Sequence, residues 1–303
     1  MPHLLISAAH KSSGKTTLSV GLCAAFRGRG LAVQPFKKGP DYIDPLWLSA
    51  AAGRACHNLD FYTMDRDEIP ATFGSAMQGA DLGIIEGNKG LYDGLDLDGS
   101  NSNAALATLL GAPVVLVINA RGMTRGIAPL ILGYQAFDRQ VNIAGVILND
   151  LGGYRHESKL RQVIEHYTNV PVLGAVHHAT ELQIVERHLG LMPANESERA
   201  AEQIDRIRDV VAEQVDLDRL LECAAAAAPI ELPAVAGGEG YPAPDLRIGI
   251  ARDAAFGFYY AGDLDALRHG GAELVPFDTL SDRDLPDVDG LFIGGGSPAP
   301  GCA

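Results

Sequence analysis

Gly14-Lys15-Thr16 closes the run Ala9-His10-Lys11-Ser12-Ser13-Gly14-Lys15-Thr16. The run follows an apolar segment, His3 to Ala8, and opens a stretch with helical apolar spacing at Leu18, Leu22, Ala25 and Phe26. A strand, a Ser/Gly turn, Lys-Thr and then a helix is the context of a Walker A phosphate loop. The backbone N–H groups of Ser12, Ser13, Gly14, Lys15, Thr16 and Thr17 can curl round phosphate oxygens at the helix N-terminus. Lys15 then places an ammonium on the β- and γ-phosphates, and the Thr16 hydroxyl can ligate Mg2+. ATP and Mg2+ are the expected cofactors. Ala9 stands where such a loop usually has its first glycine, and it is small enough to keep the loop usable. Lys11 can touch phosphate, but it reads equally well as a solvated lysine.

Acidic groups follow at two further places. Phe36-Lys37-Lys38-Gly39-Pro40-Asp41-Tyr42-Ile43-Asp44-Pro45 ends a second apolar run. Ligands bind beyond the carboxyl ends of parallel strands, and a magnesium nucleotide with an anionic substrate needs this mixture of charges. Asp41 or Asp44 can hold the metal, because Mg2+ takes one or two carboxylates alongside phosphate oxygens and water. Lys37 can neutralise charge developing on a transferred phosphoryl group. The competing reading is a surface turn fixed by Pro40 and Pro45. Leu82-Gly83-Ile84-Ile85-Glu86 is an apolar strand tipped by a carboxylate, the position of a Walker-B-like magnesium ligand, and Glu86 is the candidate. In the Gly-rich loop after it, Asp93 can orient a substrate carboxylate or its metal, against the alternative of a plain Asp-Gly turn. Asn149 ends the run Gly145-Val146-Ile147-Leu148 and can offer a donor and an acceptor to an adenine edge, or simply fix a turn. His188 is assigned no role.

These groups must be held by strands and helices in alternation. Apolar runs at His3–Ala8, Leu31–Phe36, Leu82–Ile85, Val114–Ile118, Ile143–Leu148 and Val172–Ala175 predict buried strands. Helices are predicted at Thr16–Arg29, Ala104–Leu110, Ile127–Phe137, His156–Tyr167 and Glu198–Leu221. Continuous Val, Ile and Leu strands separated by helices predict an α/β fold of the phosphate-loop NTPase type, with a mostly parallel sheet covered on both faces. Residues 223–245, rich in Ala, Pro and Gly, predict a linker between a first domain, 1–222, and a second α/β unit, 246–303. That unit has predicted strands at Arg247–Ala251, Glu273–Phe277 and Asp289–Ile293 and a helix at Tyr259–His269.

The 303 residues carry 38 acidic side chains against 24 Lys and Arg, a formal net charge of −14, with 47% apolar residues. That composition predicts a folded, soluble chain and argues against a nucleic-acid partner, which would need a basic face. The scattered Cys23, Cys56, Cys223 and Cys302 support neither a zinc site nor a disulfide framework. No signal peptide and no apolar run of membrane-spanning length is visible, so a cytoplasmic location without membrane partners is expected.

Taken together, several segments resemble the cobyrinic acid a,c-diamide synthase family of glutamine-dependent amidotransferases. They are SSGKTT at 12–17, KKGPDYIDP at 37–45, IIEGNKGLYDG at 84–94, GAPVVLVINARGMTRG at 111–126, GVILN at 145–149 and ERHLGLMPA at 186–194. The resemblance covers roughly residues 3–220 and, more weakly, 246–296. It implies a fold similar to dethiobiotin synthetase, followed by a class I glutaminase-like unit. It also implies that ATP phosphorylates peripheral acetate carboxylates of an acidic tetrapyrrole and that ammonia, from glutamine or free, displaces phosphate to give amides. By motif, Lys15 and Thr16 fall at the family's ATP and Mg2+ positions. Asp41, Asp44, Glu86 and Asp93 fall at positions implicated in metal binding and substrate activation. A homodimer is implied by the same resemblance.

Two departures from the family stand out. Gly294-Gly295-Gly296 resembles the oxyanion turn of the glutaminase, but the chain ends seven residues later in SPAPGCA. Cys302 has no strand before it and no helix after it, so it does not read as the nucleophile. The expectation is a truncated second unit without glutaminase activity. In the first domain, Asn88-Lys89 stands where the family more often has an apolar pair, which leaves room for a sirohaem-type substrate. A regulatory or partitioning ATPase is the rival from another class; His10 stands where such proteins usually carry a second lysine. A non-enzymatic tetrapyrrole carrier is the third reading.

Overall fold

The computed structural model describes residues 1–179, 182, 184, 186, 187, 190, 191, 199–230 and 241–296. The first unit runs β1 (His3–Ala8), α1 (Lys15–Gly28), β2 (Val33–Lys38), α2 (Ile43–Ala52), β3 (His57–Leu59), α3 (Glu68–Ala76) and β4 (Leu82–Glu86). It continues through α4 (Asn103–Leu110), β5 (Val114–Asn119), α5 (Ile127–Phe137), β6 (Ile143–Leu151), α6 (Tyr154–Tyr167) and β7 (Val172–His177). A short hairpin of β8 (Glu186–Arg187) and β9 (Gly190–Leu191) precedes α7 (Ala200–Gln214) and α8 (Leu217–Ala225).

The main sheet has the order β3-β2-β4-β1-β5-β6-β7 with every pairing parallel. Strand β1 is central, so the turn after it lies beside the tips of β4 and β5. Its six residues are all buried, because helices cover both faces, as the continuous apolar runs require. One core, around Phe26, Trp47, Ile207 and Val211, fills one face; another, around Phe36, Phe73, Leu116 and Ile131, fills the other. Gly21 sits mid-helix where α1 meets α7. A Cβ there would lie 2.5 Å from Val211 and 2.9 Å from Ile207, so the missing side chain lets the two helices approach.

The structure departs from the sequence reading in identifiable places. Helices α2 and α3 and strand β3 fill a region to which the sequence reading assigned no element. In α2, Pro45 sits near the start, where its missing N–H breaks no helical bond. The predicted helix Glu198–Leu221 is two helices within the described residues. Val215 leaves the helix to bridge Gly174 at the edge of β7, and Asp216 restarts it by accepting from the Arg219 N–H at 3.1 Å. Residues 223–225 of the predicted linker belong to α8, and the Ala228 N–H donates to the Gly111 carbonyl at 3.0 Å. The motif at 186–194, including His188, and Cys302 lie partly or wholly outside the described residues.

The second unit is a three-stranded parallel sheet, β12-β10-β13, with β10 (Leu246–Ala251) between β12 (Ala272–Phe277) and β13 (Gly290–Phe292). Between these strands come β11 (Phe256–Phe258) and α9 (Ala261–His269), and β14 (Gly295–Gly296) pairs antiparallel with β11. That two-stranded pairing was not foreseen, since neither segment is long or alternating enough to read as a strand. Among the described residues no helix is long and apolar enough to cross a membrane.

Candidate active site

The turn between β1 and α1 is built to face an anion. Gly14 caps α1 with φ 87° and no side-chain cap follows, so the first N–H groups of the helix remain free for a ligand. Ser12 has φ 60°, a left-handed conformation that costs a non-glycine residue energy and clusters at ligand-gripping loops. Other groups hold the turn in shape. The Ser13 hydroxyl donates to the His10 carbonyl at 2.7 Å, the Tyr134 hydroxyl donates to the Ala9 carbonyl, and Asn149 Nδ2 donates to the Ser13 carbonyl at 2.9 Å. A side chain on Gly14 would run into Asn149. Asn149 therefore braces the phosphate loop with one of its two amide hydrogens, leaving the second N–H and the carbonyl oxygen for an adenine edge. Lys15 is largely buried. Burial pulls its pKa down, with Glu86 opposing the shift, so the ammonium awaits a negative partner.

Strands β2 and β4 bring the acids to this turn, since Lys37 and Glu86 are register partners and Ile6 pairs with Glu86 on the other side. The Lys37 ammonium lies 2.5 Å from Asp44 Oδ2, 3.2 Å from Glu86 Oε1 and 3.9 Å from Asp41 Oδ2. The Thr16 hydroxyl donates to Glu86 Oε1 at 2.6 Å and lies 3.3 Å from Asp44 Oδ2. Asp41 Oδ1 accepts the N–H groups of Ile43 and Asp44 at 2.9 and 3.1 Å, which caps α2. The sequence put a turn here; the turn exists, and it is also the start of a helix that carries Asp44 inward.

One ammonium is thus shared among three carboxylates. Burial works against charge on Lys37, but Glu86, Asp44 and Asp41 outweigh it and hold its pKa above the ordinary lysine value. At Glu86 the balance is opposite. Burial wins over Lys37, and the pKa is pushed up to about 7. Asp41 is also raised, by burial first and then by Asp44. Glu86 is fully buried, and its Oε2 has no hydrogen-bond partner. An unsatisfied buried carboxylate oxygen costs folding energy, and beside a threonine hydroxyl at a phosphate loop it fits a hard cation. Among the described residues no group of three or more His, Cys, Asp or Glu forms a cage for a metal by itself.

A cavity of about 1210 Å3 opens over this cluster. Ser12, Gly14, Lys15, Thr16 and Thr17 line it on one side, and Lys37, Asp41, Asp44 and Asn149 on others. Ser13 and Glu86 lie beneath the surface, buried. Asp93 is not among the described residues lining this cavity. It is exposed, and its Oδ2 accepts the Gly90 N–H at 2.9 Å, so the plain turn reading describes its contacts. Lys89 lines the cavity with φ 52°.

Sequence reasoning missed several residues here. Asn103, fully buried, donates to the Asn88 and Gly90 carbonyls at 2.6 and 2.8 Å and accepts the Asn88 N–H at 2.9 Å, fixing the loop after β4. Its signal was a Ser-Asn pair ahead of an apolar helix, the place for capping groups. Arg121 and His178 line the cavity just beyond β5 and β7. His178 Nδ1 lies 2.5 Å from Asp150 Oδ1, and Asp150 has φ 62°. Their signal was position one or two residues past a parallel strand, where ligands bind.

With this geometry in view, comparison with known proteins gives two domain matches. Residues 5–191 match the CobQ/CobB/MinD/ParA nucleotide binding domain, and residues 247–301 match the CobB/CobQ-like glutamine amidotransferase domain. Curated relatives are similar over nearly the whole chain. A protein of Magnetococcus marinus named cobyrinate a,c-diamide synthase is 50% identical over 303 residues, covering 98% of this chain and 65% of that protein. One of Methanosarcina acetivorans with the same name is 48% identical over 313 residues, covering 98% and 63%. One of Listeria monocytogenes, again so named, is 40% identical over 307 residues, covering 98% and 66%. The chain spans just under two thirds of the length of these relatives.

Proposed function

The chain belongs to the CobQ/CobB/MinD/ParA nucleotide-binding domain family, and from that membership we propose that it activates carboxylates with ATP for amidation, taking cobyrinate to its a,c-diamide. The observation that carries the reading is the fully buried Glu86, with an unpartnered oxygen, hydrogen-bonded to Thr16 at the start of α1 and ion-paired with Lys37. A phosphate loop alone serves many chemistries. A loop flanked by three carboxylates and a protonated lysine suits the transfer of phosphoryl to an anionic oxygen. The names of relatives at 40–50% identity support the substrate.

The geometry supports the following roles. The N–H groups of the turn and Lys15 bind the β- and γ-phosphates. Thr16, Glu86 and Asp44 or Asp41 would hold Mg2+, which when bound neutralises phosphate charge. Lys37, kept protonated by its carboxylates, lends positive charge beside the γ-phosphoryl group. Asp93 shapes the loop after β4 by accepting the Gly90 N–H.

The reaction is written in two displacements. A substrate carboxylate oxygen attacks the γ-phosphorus, the bond from phosphorus to the bridging oxygen breaks, and ADP leaves with that electron pair. Activation is needed because a free carboxylate is a poor electrophile. Ammonia then attacks the acyl carbon and loses a proton. The acyl carbon–oxygen bond breaks, and inorganic phosphate leaves. The proposed nitrogen donor is ammonia, free or from glutamine, in keeping with the match of residues 247–301 to an amidotransferase domain. ADP release measured with and without cobyrinate, with free ammonia supplied, tests the reading. Release that depends on the ring supports it, and turnover indifferent to the ring favours a regulatory ATPase.

A further inference from the structure

The second unit reaches the acid cluster through one aromatic stack. Tyr42 is the N-cap residue of α2, between Asp41 and Asp44 in the chain. Its ring lies against Tyr260, with centroids 4.3 Å and planes 17° apart, and against Phe258 at 5.8 Å and 14°. Tyr260 is the N-cap residue of α9, and Phe258 belongs to β11. A polar contact lies nearby, His57 Nε2 to Asp265 Oδ2 at 3.8 Å, between β3 and α9. The far side of β11 is engaged as well. It pairs with Gly295–Gly296, and a Cβ on Gly294 would lie 2.6 Å from the Phe258 carbonyl oxygen. The glycine segment therefore lies flush on the strand that stacks against Tyr42.

Tyr42 is held from its own unit too. Asn58 Nδ2 donates to the Asp41 carbonyl at 2.8 Å, and the Asp41 carboxylate caps the residues after Tyr42. Any shift of the Tyr42 backbone moves a carboxylate on either side of it. Asp44 meets Lys37 and Thr16, and Asp41 faces Lys37, only with the first turn of α2 in this place.

We propose that the stack of Tyr42 with Tyr260 and Phe258 is a positioning device: the second unit, docked on Tyr42, sets the first turn of α2 and with it the two carboxylates of the metal–nucleotide site. The inference rests on the reading of that cluster given under the proposed function. It ties the half that activates a carboxylate to the half that matches a nitrogen-donating domain, so that activation is strongest when the two are docked. Tyr260 and Phe258 act through Tyr42 and are positioning residues.

The test uses the whole chain with Tyr260→Ala, Tyr260→Leu and Tyr260→Phe, titrated with ADP in the presence of Mg2+ and again with a chelator. The Leu variant keeps an apolar side chain at the contact, so the test survives if the Ala variant does not fold. The expected result is that Ala and Leu weaken ADP binding in Mg2+ by about three- to tenfold, the range an aromatic pair supplies. Binding in chelator stays unchanged, and Phe behaves as the unaltered chain. Equal loss with and without metal, or no loss in the Leu variant, overturns the proposal. An unaltered chain that binds ADP identically with and without Mg2+ overturns the site reading itself and this inference with it.

Discussion

The Thr16 hydroxyl, in the first turn of α1, donates to Glu86 Oε1 at 2.6 Å, joining the phosphate loop to the tip of β4. The bond aligns two oxygens that a divalent cation would share, and it leaves the second oxygen of Glu86 without a partner. Strand order makes the meeting possible, because β4 lies directly beside β1.

Lys15 is the group on which phosphate binding depends. Burial already disfavours its charge, so Lys15→Ala should not destabilise the fold. It should remove a charge-assisted contact to phosphate, weakening ATP binding about tenfold or more. Titration calorimetry beside a thermal melt checks both halves. Retained affinity would remove the loop from the account.

Glu86 carries a pH signature. Its folded pKa, about 7, lies above the ordinary 4.5. A raised carboxylate pKa gives stability that is present in full below the unfolded pKa and is lost as pH rises through the folded value. Stability of the metal-free chain should therefore decline between about pH 4.5 and 7, and Glu86→Gln should flatten that decline. Metal ligation needs the carboxylate. Binding of Mg2+ with ADP at pH 6 should then release a proton, while binding at pH 8 releases little. Calorimetry in buffers of different ionisation enthalpy measures the release; equal release at both pH values would refute the assignment.

Lys37 compensates three buried or half-buried carboxylates. Removing one partner of a buried ion pair strands the other charges, at about 3–5 kcal/mol. Lys37→Met should cost about that much at neutral pH in denaturant unfolding. The loss should shrink as pH falls, because the stranded carboxylates then take up protons. A loss independent of pH would point to packing instead of charge.

The phosphate loop and the tips of β2 and β4 were legible in the sequence because each is local: an apolar strand, then a polar group at its end. The sheet order was not, although it is what places Lys37 beside Glu86. Helix α2 was hidden because Pro40, Asp41 and Pro45 are turn residues in any local reading, and only Asp41 capping the next turn converts them into a helix start. Asn149 shows the limit most plainly. Its position at a strand end was readable, but its bond to the Ser13 carbonyl joins residues 136 apart in sequence. The split between α7 and α8 depends on Val215 meeting Gly174, a tertiary contact that helical spacing cannot register.

Gly21 tests the scaffold. Gly21→Val would push a branched side chain into Val211 and Ile207 of α7. Overpacking of this kind costs about 1–3 kcal/mol, and the melting temperature should fall accordingly. Val211→Ala in the same chain should recover part of the loss. Two losses that simply add would mean that α7 does not rest on Gly21.

On the proposed function, a substrate carboxylate takes the terminal phosphoryl group of ATP before nitrogen arrives. Cobyrinate carrying heavy oxygen in its acetate carboxylates, incubated with the chain, ATP, Mg2+ and ammonia, tests it directly. Each amide formed should send one labelled oxygen into inorganic phosphate, read by mass spectrometry of the phosphate. Amide accompanied by unlabelled phosphate would contradict the account.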